Sequence, residues 1–486
     1  MCIRDSFYTD DGMFSVENAK DWLGDSGRWS LCLLDGSSSF QAGMLTLAGA
    51  FAFLLLLGWR TRWVTFGCWV MAVSIANRNP IVCYYGDTIL QIFLFWGMFL
   101  PLGARFSLDA RRNHKTKSDL PSQPVCSAAS AAAMLQLSFI YFFAALWKWN
   151  SDWLDGTAAE TALYLEYARR ASPLDQLIYT PLLKPLTVAT LFLELLGPLV
   201  IWIPWRTQVF RYAMIVAFFL LHFSIELLFT PALLSYMCVI GWILFLPSSF
   251  WEIPWIRRIL RECPSDTSKQ SAPFTGIALW RRRIANAIGL VLLFYVLLWN
   301  LATLRPQQLG FLVPQNVAWI GKVTMLGQTW DMFFRPSTHN GWHKARARLA
   351  DGSVVDVLRD GEPFDAELLE SNWHYFRSIR WKLFFRRLGI WKELEPLGDQ
   401  VAGYLRDRWN SQHPESQRAV ELSLLYYERL EDSRGGGFSV RQSGSAVDER
   451  DPNSEPDWES IFDPLDSLMS DGPIGTDFPN RQGDNR

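Results

Sequence analysis

The stretch AASAAAMLQLSFIYFFAALWKW, Ala128 to Trp149, decides the fold of this chain. It has no charged side chain from Ala128 to Trp147, and a helix of about 20 apolar residues is long enough to cross the hydrocarbon core of a bilayer. A lysine, Lys148, stands where the apolar run ends. The stretch therefore predicts a membrane-spanning helix whose last turn meets a charged, tryptophan-rich boundary.

The same pattern recurs between residues 40 and 301. Of the 486 residues 50% are hydrophobic, and a formal net charge of −2 argues against nucleic acid as a principal partner. Apolar runs close to 20 residues indicate membrane spans rather than helices of a soluble core. We predict an all-α multi-pass membrane helix bundle with eight apolar segments: Phe40–Trp59, Trp63–Ala76, Thr88–Leu102, Ala128–Trp147, Leu186–Ile203, Phe210–Phe229, Ala232–Leu246 and Ile284–Leu301.

Basic residues between these segments predict the orientation of the bundle. They concentrate in alternate connections, which the positive-inside rule assigns to the cytoplasm. The segment with Lys148 and the C-terminal domain are then expected on the extracytoplasmic side. The N-terminus is also expected outside, although no signal peptide or span precedes it, so we expect an upstream helix to be missing. The basic residues are Arg60, Arg62, Arg105, Arg111, Arg112, Lys115, Lys117, Arg206, Arg211, Arg257, Arg258, Arg261, Arg281, Arg282 and Arg283.

Composition divides the chain into four predicted parts: an outward-facing loop segment (1–39), a membrane domain (40–303), a small soluble α+β domain (304–430) and a disordered acidic tail (431–486). In the third part, Asp351-Gly352 between alternating residues predicts a β-hairpin. Gln400–Leu430 is predicted as a helix, because it places Leu422, Leu425 and Tyr426 on one face.

Ionisable residues inside the spans are the first candidates for function, since a charge in a membrane is costly. Glu194 lies in the fifth segment, and His222 and Glu226 lie four residues apart in the sixth, on one helical face. A carboxylate there would fix the tautomer of the imidazole. The alternative is a structural hydrogen-bonded pair that joins neighbouring helices.

Lys148 has two interpretations. At a helix end, a lysine commonly extends to the lipid headgroups as an anchor. In a dry site, desolvation would instead favour its neutral amine, which is a base. Asp152 and Asp155 would oppose that effect by favouring the ammonium form. The bulky residues around the amine are Trp147, Trp149 and Trp153.

Other chemistries find no support in the sequence. The seven cysteines are scattered without a CxxC pair or zinc-like spacing, so we expect no metal. GxSxG, HExxH and Walker patterns do not occur, which argues against the corresponding hydrolases, zincins and P-loop enzymes.

Several ordered motifs resemble the bacterial HTTM (horizontally transferred transmembrane) family, which is related to vitamin K-dependent gamma-glutamyl carboxylase. The resemblance covers about Phe7 to Leu430. Its motifs are Phe7-Tyr-Thr-Asp-Asp-Gly-Met, Asn77-Arg-Asn-Pro, Gly86-Asp87, Leu100-Pro-Leu-Gly-Ala-Arg-Phe-Ser-Leu-Asp109, Trp147-Lys-Trp-Asn-Ser-Asp-Trp153, His222-Phe223 and Gln328-Thr-Trp-Asp-Met-Phe333.

The resemblance implies an activity and its cofactors. Lys148 matches the lysine base that deprotonates vitamin K hydroquinone in the carboxylase, and His222 matches a histidine of a later helix. The expected cofactor is vitamin K hydroquinone or another quinol, used with O2 and CO2. Reaction with oxygen gives the strong base that allows carboxylation of glutamate in a secreted or membrane protein substrate. Membrane lipid is the other expected partner.

One departure from the carboxylase separates two hypotheses. The carboxylase has a histidine in the loop before the third segment, where this chain has Pro80 and Ile81. The first hypothesis is a quinol- or lipid-binding pocket at Lys148, His222 and Glu226, in which Trp147, Trp149 and Trp153 contact a flat apolar ligand. The second is a non-enzymatic HTTM protein that transports, binds lipid or quinone, or assists assembly.

Overall fold

A computed structural model gives the architecture. The residues that it describes are 3–24, 26–104, 106–115, 127–164, 169–170, 180–259, 276–336, 340–366, 371, 373–376, 378–430 and 437–447. They group into two compact units. One comprises Glu17–Ala162 with Arg170–Pro336, and the other comprises Met1–Val16, Leu163–Arg169 and Ser337–Arg486. We call them the helical unit and the sheet unit.

Helices account for the first two thirds of the chain. In chain order they are α1 (Ile3–Tyr8), α2 (Val16–Leu23), α3 (Ser38–Leu57), α4 (Thr61–Arg78), α5 (Tyr85–Gly97), α6 (Leu108–Lys115), α7 (Ala128–Trp147), α8 (Ser151–Leu154), α9 (Ala158–Tyr164), α10 (Leu183–Val200), α11 (Thr207–Leu228), α12 (Leu234–Ile243), α13 (Ser248–Trp251), α14 (Pro254–Ile259), α15 (Gly276–Leu304), α16 (Pro306–Leu309) and α17 (Gln315–Thr324).

Each of the eight predicted apolar segments contains a helix. Among the described residues, five helical stretches are long and apolar enough to cross a membrane: Ser38–Leu57, Ala128–Trp147, Leu183–Val200, Thr207–Leu228 and Arg283–Leu304. The second, third and seventh segments give less apolar or shorter helices, and α5 has 13 residues and α12 has 10. The prediction of a multi-pass helical membrane protein is confirmed.

The charge-free stretch Ala128–Trp147 forms α7, which lies at the centre of the helical unit. Helix α7 has 61% of its span buried, whereas α3 has 11%. Ala132, Ala133 and Ala144 are buried, and small residues of this kind let neighbouring helix backbones approach closely. Helices α5, α10, α12 and α15 pack around α7. Side chains of α7 therefore reach several neighbouring helices.

Two helical hairpins of this unit turn in the same way. Helices α3 and α4 meet at Trp59-Arg60-Thr61, and α10 and α11 meet at Trp205-Arg206-Thr207. Arg60 and Arg206 both adopt left-handed backbone conformations, with φ of 44° and 46°. Each guanidinium lies over the preceding indole, at 5.3 and 4.8 Å from the ring centroid. We call these the Trp-Arg turns.

The sheet unit contains a five-stranded antiparallel sheet in the order β3-β2-β1-β4-β5. Its elements are β1 (Asn340–Leu349), β2 (Val354–Asp356), β3 (Glu362–Pro363), α18 (Ile379–Ile390), α19 (Gly398–Gln412), β4 (Ala419–Leu430) and β5 (Gly437–Val447). Gly352 has a φ of 85° in the turn between β1 and β2, as expected for the predicted Asp-Gly hairpin. The small α+β domain is confirmed.

Helix α1 belongs to the sheet unit and not to a separate N-terminal segment. The Phe7 ring lies 4.4 Å from the Trp381 ring and 5.2 Å from the Phe384 ring, both on α18. The Ser6 hydroxyl is 2.6 Å from the Tyr404 hydroxyl. Contacts over nearly 400 positions leave no local signal, which is why the sequence did not indicate them.

Two predictions for this unit are wrong. Gln400–Leu430 is not one helix, because α19 ends at Gln412 and the chain continues as β4. Both faces of β4 are buried, and a strand buried on both faces has no apolar–polar alternation to distinguish it from a helix.

The predicted disordered tail also starts too early. Gly437–Val447 forms β5, which pairs with β4 along its length despite its polar composition. Backbone hydrogen bonds stabilise this strand, and Gly444 allows close contact with Gly398 of α19. The rest of the predicted tail, from residue 448 onward, lies outside the described residues.

Candidate functional site

A cavity of about 450 Å³ opens within the helical unit beside the C-terminal end of α7. Side chains of α8 to α11 and residues near Phe333 complete its walls. Apart from one lysine and one glutamate, these walls are almost entirely apolar. The lining residues are Lys148, Trp153, Ala158, Ala159, Ala162, Leu183, Leu186, Thr187, Ala189, Thr190, Leu193, Glu194, Ala217, Leu220, Leu221, Ser224, Ile225, Leu228, Phe229, Phe333 and Pro336.

The charged residues of the wall form a buried ion pair. The Lys148 ammonium Nζ donates to Glu194 Oε2 at 2.5 Å, and the two residues are 2% and 7% exposed. Lys148 therefore does not extend to the surface as an anchor would. A buried ion pair is costly unless both charges are well compensated, and intramembrane charges commonly mark functional sites.

The Trp-Lys-Trp-Asn-Ser-Asp-Trp motif holds Lys148 in place through a tight turn. Lys148 caps the end of α7, and the Asn150 side chain accepts a hydrogen bond from Trp153 N to begin α8. The Trp153 indole then donates to the Phe333 carbonyl at 2.8 Å, and its ring lies 5.0 Å from Lys148 Nζ. The ring face favours the ammonium and shields it from water.

The three predicted tryptophans have different environments. Trp153 lines the cavity. Trp147 packs against Phe334, with 5.5 Å between ring centroids, and Trp149 is 52% exposed with its ring near Phe192. Neither of the latter two is among the residues that line the cavity. Trp153 is thus the predicted tryptophan that is placed to contact a ligand there.

His222 and Glu226 do share a face of α11, but they line a different groove, formed with α12. His222 Nε2 lies 2.5 Å from the hydroxyl of Tyr141, which also accepts a hydrogen bond from the Trp242 indole at 3.0 Å. Glu226 forms an ion pair with Arg170 at 2.9 Å. The cavity and this groove divide the residues that the sequence grouped in one pocket.

Sequence reasoning did not identify the partner of Lys148. Asp152 and Asp155 are closer in sequence, yet Glu194 occupies the site, 46 positions away. The sequence did contain one indication of this pair. The fifth segment has a single negative charge, Glu194, and the fourth segment ends at a single positive charge, Lys148. The contributions of Tyr141 and Phe333 gave no comparable signal, since neither residue carries a charge.

The remaining polar groups of the cavity are already engaged. Hydroxyl groups of Thr187, Thr190 and Ser224 donate to carbonyls of their own helices. A ligand would thus find its polar partners chiefly at Lys148 and Glu194. No group of three or more His, Cys, Asp or Glu residues able to hold a metal ion occurs within the described ranges.

The loop before α5 holds Pro80 and Ile81, at the place where the sequence comparison expected a histidine. Pro80–Val82 forms a single 3-10 turn, and the Ile81 side chain is fully buried. An isoleucine supplies no proton donor or acceptor. The proton chemistry attributed to a histidine at this place would need a different group here.

The helices and this site define an integral membrane protein with a largely apolar cavity, whose wall contains the buried Lys148–Glu194 ion pair. Residues 40–251 match the family model of the HTTM domain. That family is related to vitamin K-dependent gamma-glutamyl carboxylase. The matched range includes Lys148, Glu194 and His222. No curated protein and no solved structure matched the chain.

Proposed function

We propose that the Lys148 cavity binds a flat, membrane-soluble quinol and that Lys148 takes up a proton from its hydroxyl group. One observation carries the proposal: a lysine–glutamate pair lies buried in an otherwise apolar cavity. A volume of about 450 Å³ lies within the range of small-molecule sites. Apolar walls suit fused rings, and the pair offers hydrogen bonds to a ring hydroxyl.

The ion pair provides a means to make a base. Lys148 shares a short hydrogen bond with Glu194, so a shift of the proton onto the carboxylate leaves a neutral amine at the cavity wall. That amine then accepts the proton of a bound hydroxyl. Exclusion of water strengthens both electrostatic steps, because fewer solvent dipoles compete with the protein groups.

The family resemblance extends the proposal to epoxidation coupled to carboxylation of protein glutamate. When bound, a quinol would supply the electrons for reaction with oxygen, and hence the strong base that carboxylation needs. Lys148 corresponds to the carboxylase lysine in sequence and lines a cavity that fits such a ring. The protein substrate would be a secreted or membrane protein.

Turnover of the purified protein in lipid nanodiscs tests this proposal. Vitamin K hydroquinone, labelled bicarbonate and a glutamate peptide are supplied, and epoxide and labelled peptide are measured. We expect Lys148→Ala to lower the rate by at least about 100-fold, the usual contribution of a general base. Lys184→Ala removes an exposed lysine of α10 and should leave the rate near that of the wild type.

A non-enzymatic HTTM protein that binds or transports quinone or lipid is the second candidate. The observation that favours it is the buried Ile81, which stands where the carboxylase has a histidine. Under this alternative, the wild type and Lys148→Ala give no product, while quinol still binds to the wild type and quenches part of its tryptophan fluorescence. Product formation by the wild type would reject it.

A further inference from the structure

Part of the wall of the Lys148 cavity is also the outer surface of the helical unit. Leu186 of α10 and Leu220 of α11 line the cavity, although they are 53% and 63% exposed. Ala189 of α10 lines it and is exposed as well. Leu220 in addition lines the groove beside α12, so it lies between the cavity and that groove. Between α10 and α11 the cavity therefore reaches the exterior of the unit.

The hairpin of α10 and α11 is tight near its turn and contributes to the cavity wall farther away. An added Cβ at Gly197 would lie 2.8 Å from the Phe218 ring, so the two helices are in close contact there. Toward the other ends of the hairpin, α10 lines the cavity between Leu183 and Glu194, and α11 lines it between Ala217 and Leu228. The opening thus lies in the part of the hairpin away from its turn.

The exposed part of this wall is apolar, and the charged part is buried. The exposed lining residues are two leucines and an alanine, whereas Lys148 and Glu194 are 2% and 7% exposed. Both helices are long and apolar enough to cross a membrane, and only 33% of the α10 span and 17% of the α11 span are buried. In a bilayer the opening then faces lipid chains. It suits a ligand with its polar end inside and hydrocarbon outside.

We propose that this opening is a lateral portal from the bilayer and that the quinol carries a hydrocarbon chain, which stays in the portal. The proposal rests on the quinol site proposed at Lys148. The ring hydroxyl binds at the ion pair, and the chain passes Ala189 into the lipid. Because lipid chains are as apolar as the portal, the chain itself adds little affinity. The portal acts sterically, since it gives a ring that bears a chain room to bind.

The effect of closing the portal on two quinols tests this proposal. Vitamin K hydroquinone carries the chain, and menadiol has the same ring without it. Equilibrium binding to the full chain in nanodiscs is followed by tryptophan fluorescence at known mole fractions of quinol in the lipid. Ala189→Phe should weaken binding of vitamin K hydroquinone at least about tenfold, because the chain loses its path, and should change menadiol binding less than about twofold.

A second measurement does not depend on a quinol. Trp153 lines the cavity from α8 and is 7% exposed, so a lipid chain contacts its ring by entering the cavity. Phosphatidylcholine with a diazirine in one acyl chain is irradiated in ligand-free nanodiscs, and labelled residues are mapped by mass spectrometry. We expect label on Trp153 in the wild type and at least about threefold less in Ala189→Phe, in which the added ring fills the opening.

Ala213→Phe is the matched control for both measurements. Ala213 is an exposed alanine of α11 that is not among the residues lining the cavity. Its replacement should leave both quinol affinities and the label on Trp153 unchanged. Equal weakening of both quinols by Ala189→Phe, or no weakening of either, would overturn the portal.

The portal and the quinol chemistry fail in different ways. Chain-dependent weakening by Ala189→Phe in a protein that yields no epoxide would keep the portal and reject the chemistry. Absence of binding by both quinols would reject quinol as the ligand, and the lipid label then decides the portal. A label on Trp153 that falls in Ala189→Phe supports an opening to the bilayer. A label that is absent, or equal in the two proteins, contradicts it.

Discussion

Each of the two units buries a lysine, but their surroundings differ. Lys148 of the helical unit faces a cavity and has one anionic partner, Glu194. Lys344 of the sheet unit, on β1, is 1% exposed; its amine donates to the Asp365 carbonyl at 2.8 Å and lies 4.4 Å from the Tyr427 ring centroid. Burial of the charge is therefore common to both lysines, and the cavity beside Lys148 is what supports the proposed ligand site.

The sheet unit stabilises its charges through neighbouring protein groups. The Asp356 carboxylate accepts from Ala345 N and Leu358 N, both at 3.0 Å. Burial raises the pKa of Asp356 to about 6, although these bonds and the Lys344 ammonium act against the shift. Burial likewise lowers the pKa of Lys344 to about 8. These shifted groups belong to a packed β-sheet.

The largest expected effect is a difference in unfolding free energy when each of the two lysines is replaced by methionine. Lys148→Met should lower the free energy of unfolding by about 3–5 kcal/mol, because Glu194 is left buried without its partner. Lys344→Met should cost about 1–2 kcal/mol, since backbone amides and Arg359 still compensate Asp356. Unfolding of each unit is followed by hydrogen exchange in the full chain.

The double substitution Lys148→Met with Glu194→Met provides the control for the ion pair. It should recover most of the stability, because no unpaired charge remains. Equal losses for the single and double variants would mean that packing, and not charge, accounts for the effect.

A second prediction tests how tightly the sheet unit is filled. A Cβ at Gly398 would collide with the Ser443 carbonyl of β5, so Gly398→Ala should destabilise the unit by about 2 kcal/mol or more. Gly403 lies on the same helix with no atom within 4 Å of an added Cβ. Gly403→Ala should be neutral or stabilise by up to about 1 kcal/mol. Thermal unfolding measures both, and similar losses would contradict the proposed contact.

The raised pKa of Asp356 predicts a pH dependence in the sheet unit. In the folded state the carboxyl binds its proton near pH 6, whereas in the unfolded state it does so near pH 4. The folded state thus holds more protons between these values, and this group's contribution to stability falls as pH rises from about 4 to 6, by about 1–3 kcal/mol. Asp356→Asn should remove that component.

The measurement for Asp356 is the difference in unfolding free energy between wild type and Asp356→Asn at each pH. Taking the difference cancels contributions from other carboxyl groups. A difference that stays constant from pH 4 to 6 would mean that Asp356 is already ionised throughout that range in the folded protein.

The smallest expected change in stability comes from filling the open site. Ala217 of α11 lines the Lys148 cavity, and Ala217→Leu should change stability by less than about 1 kcal/mol because space is available. It should nevertheless abolish quinol binding, as followed by tryptophan fluorescence. Retained affinity would show that the ligand binds elsewhere.

The sequence predicted features that depend on neighbouring residues, and it did not predict those that depend on contacts between distant parts of the chain. The ends of α7 were predicted correctly, because the charge-free run and Lys148 are local features. The partnership of Lys148 with Glu194 and the separation of His222 from the cavity depend on how helices pack around α7. Similarly, β4 was predicted as a helix because its buried faces leave no strand periodicity.

The two Trp-Arg turns constrain how the chain is threaded through the bilayer. Because the two turns have the same sequence and backbone conformation, we predict that both lie at the same face of the membrane. The chain between them must then cross the membrane an even number of times. Among the described helices between the turns, α7 and α10 are long and apolar enough to cross, and together they supply two crossings. We therefore predict that α4 and α5 behave as a pair: either both cross the membrane or neither does. With 13 residues, α5 is only about 20 Å long, so a crossing by this pair would require a locally thinner bilayer.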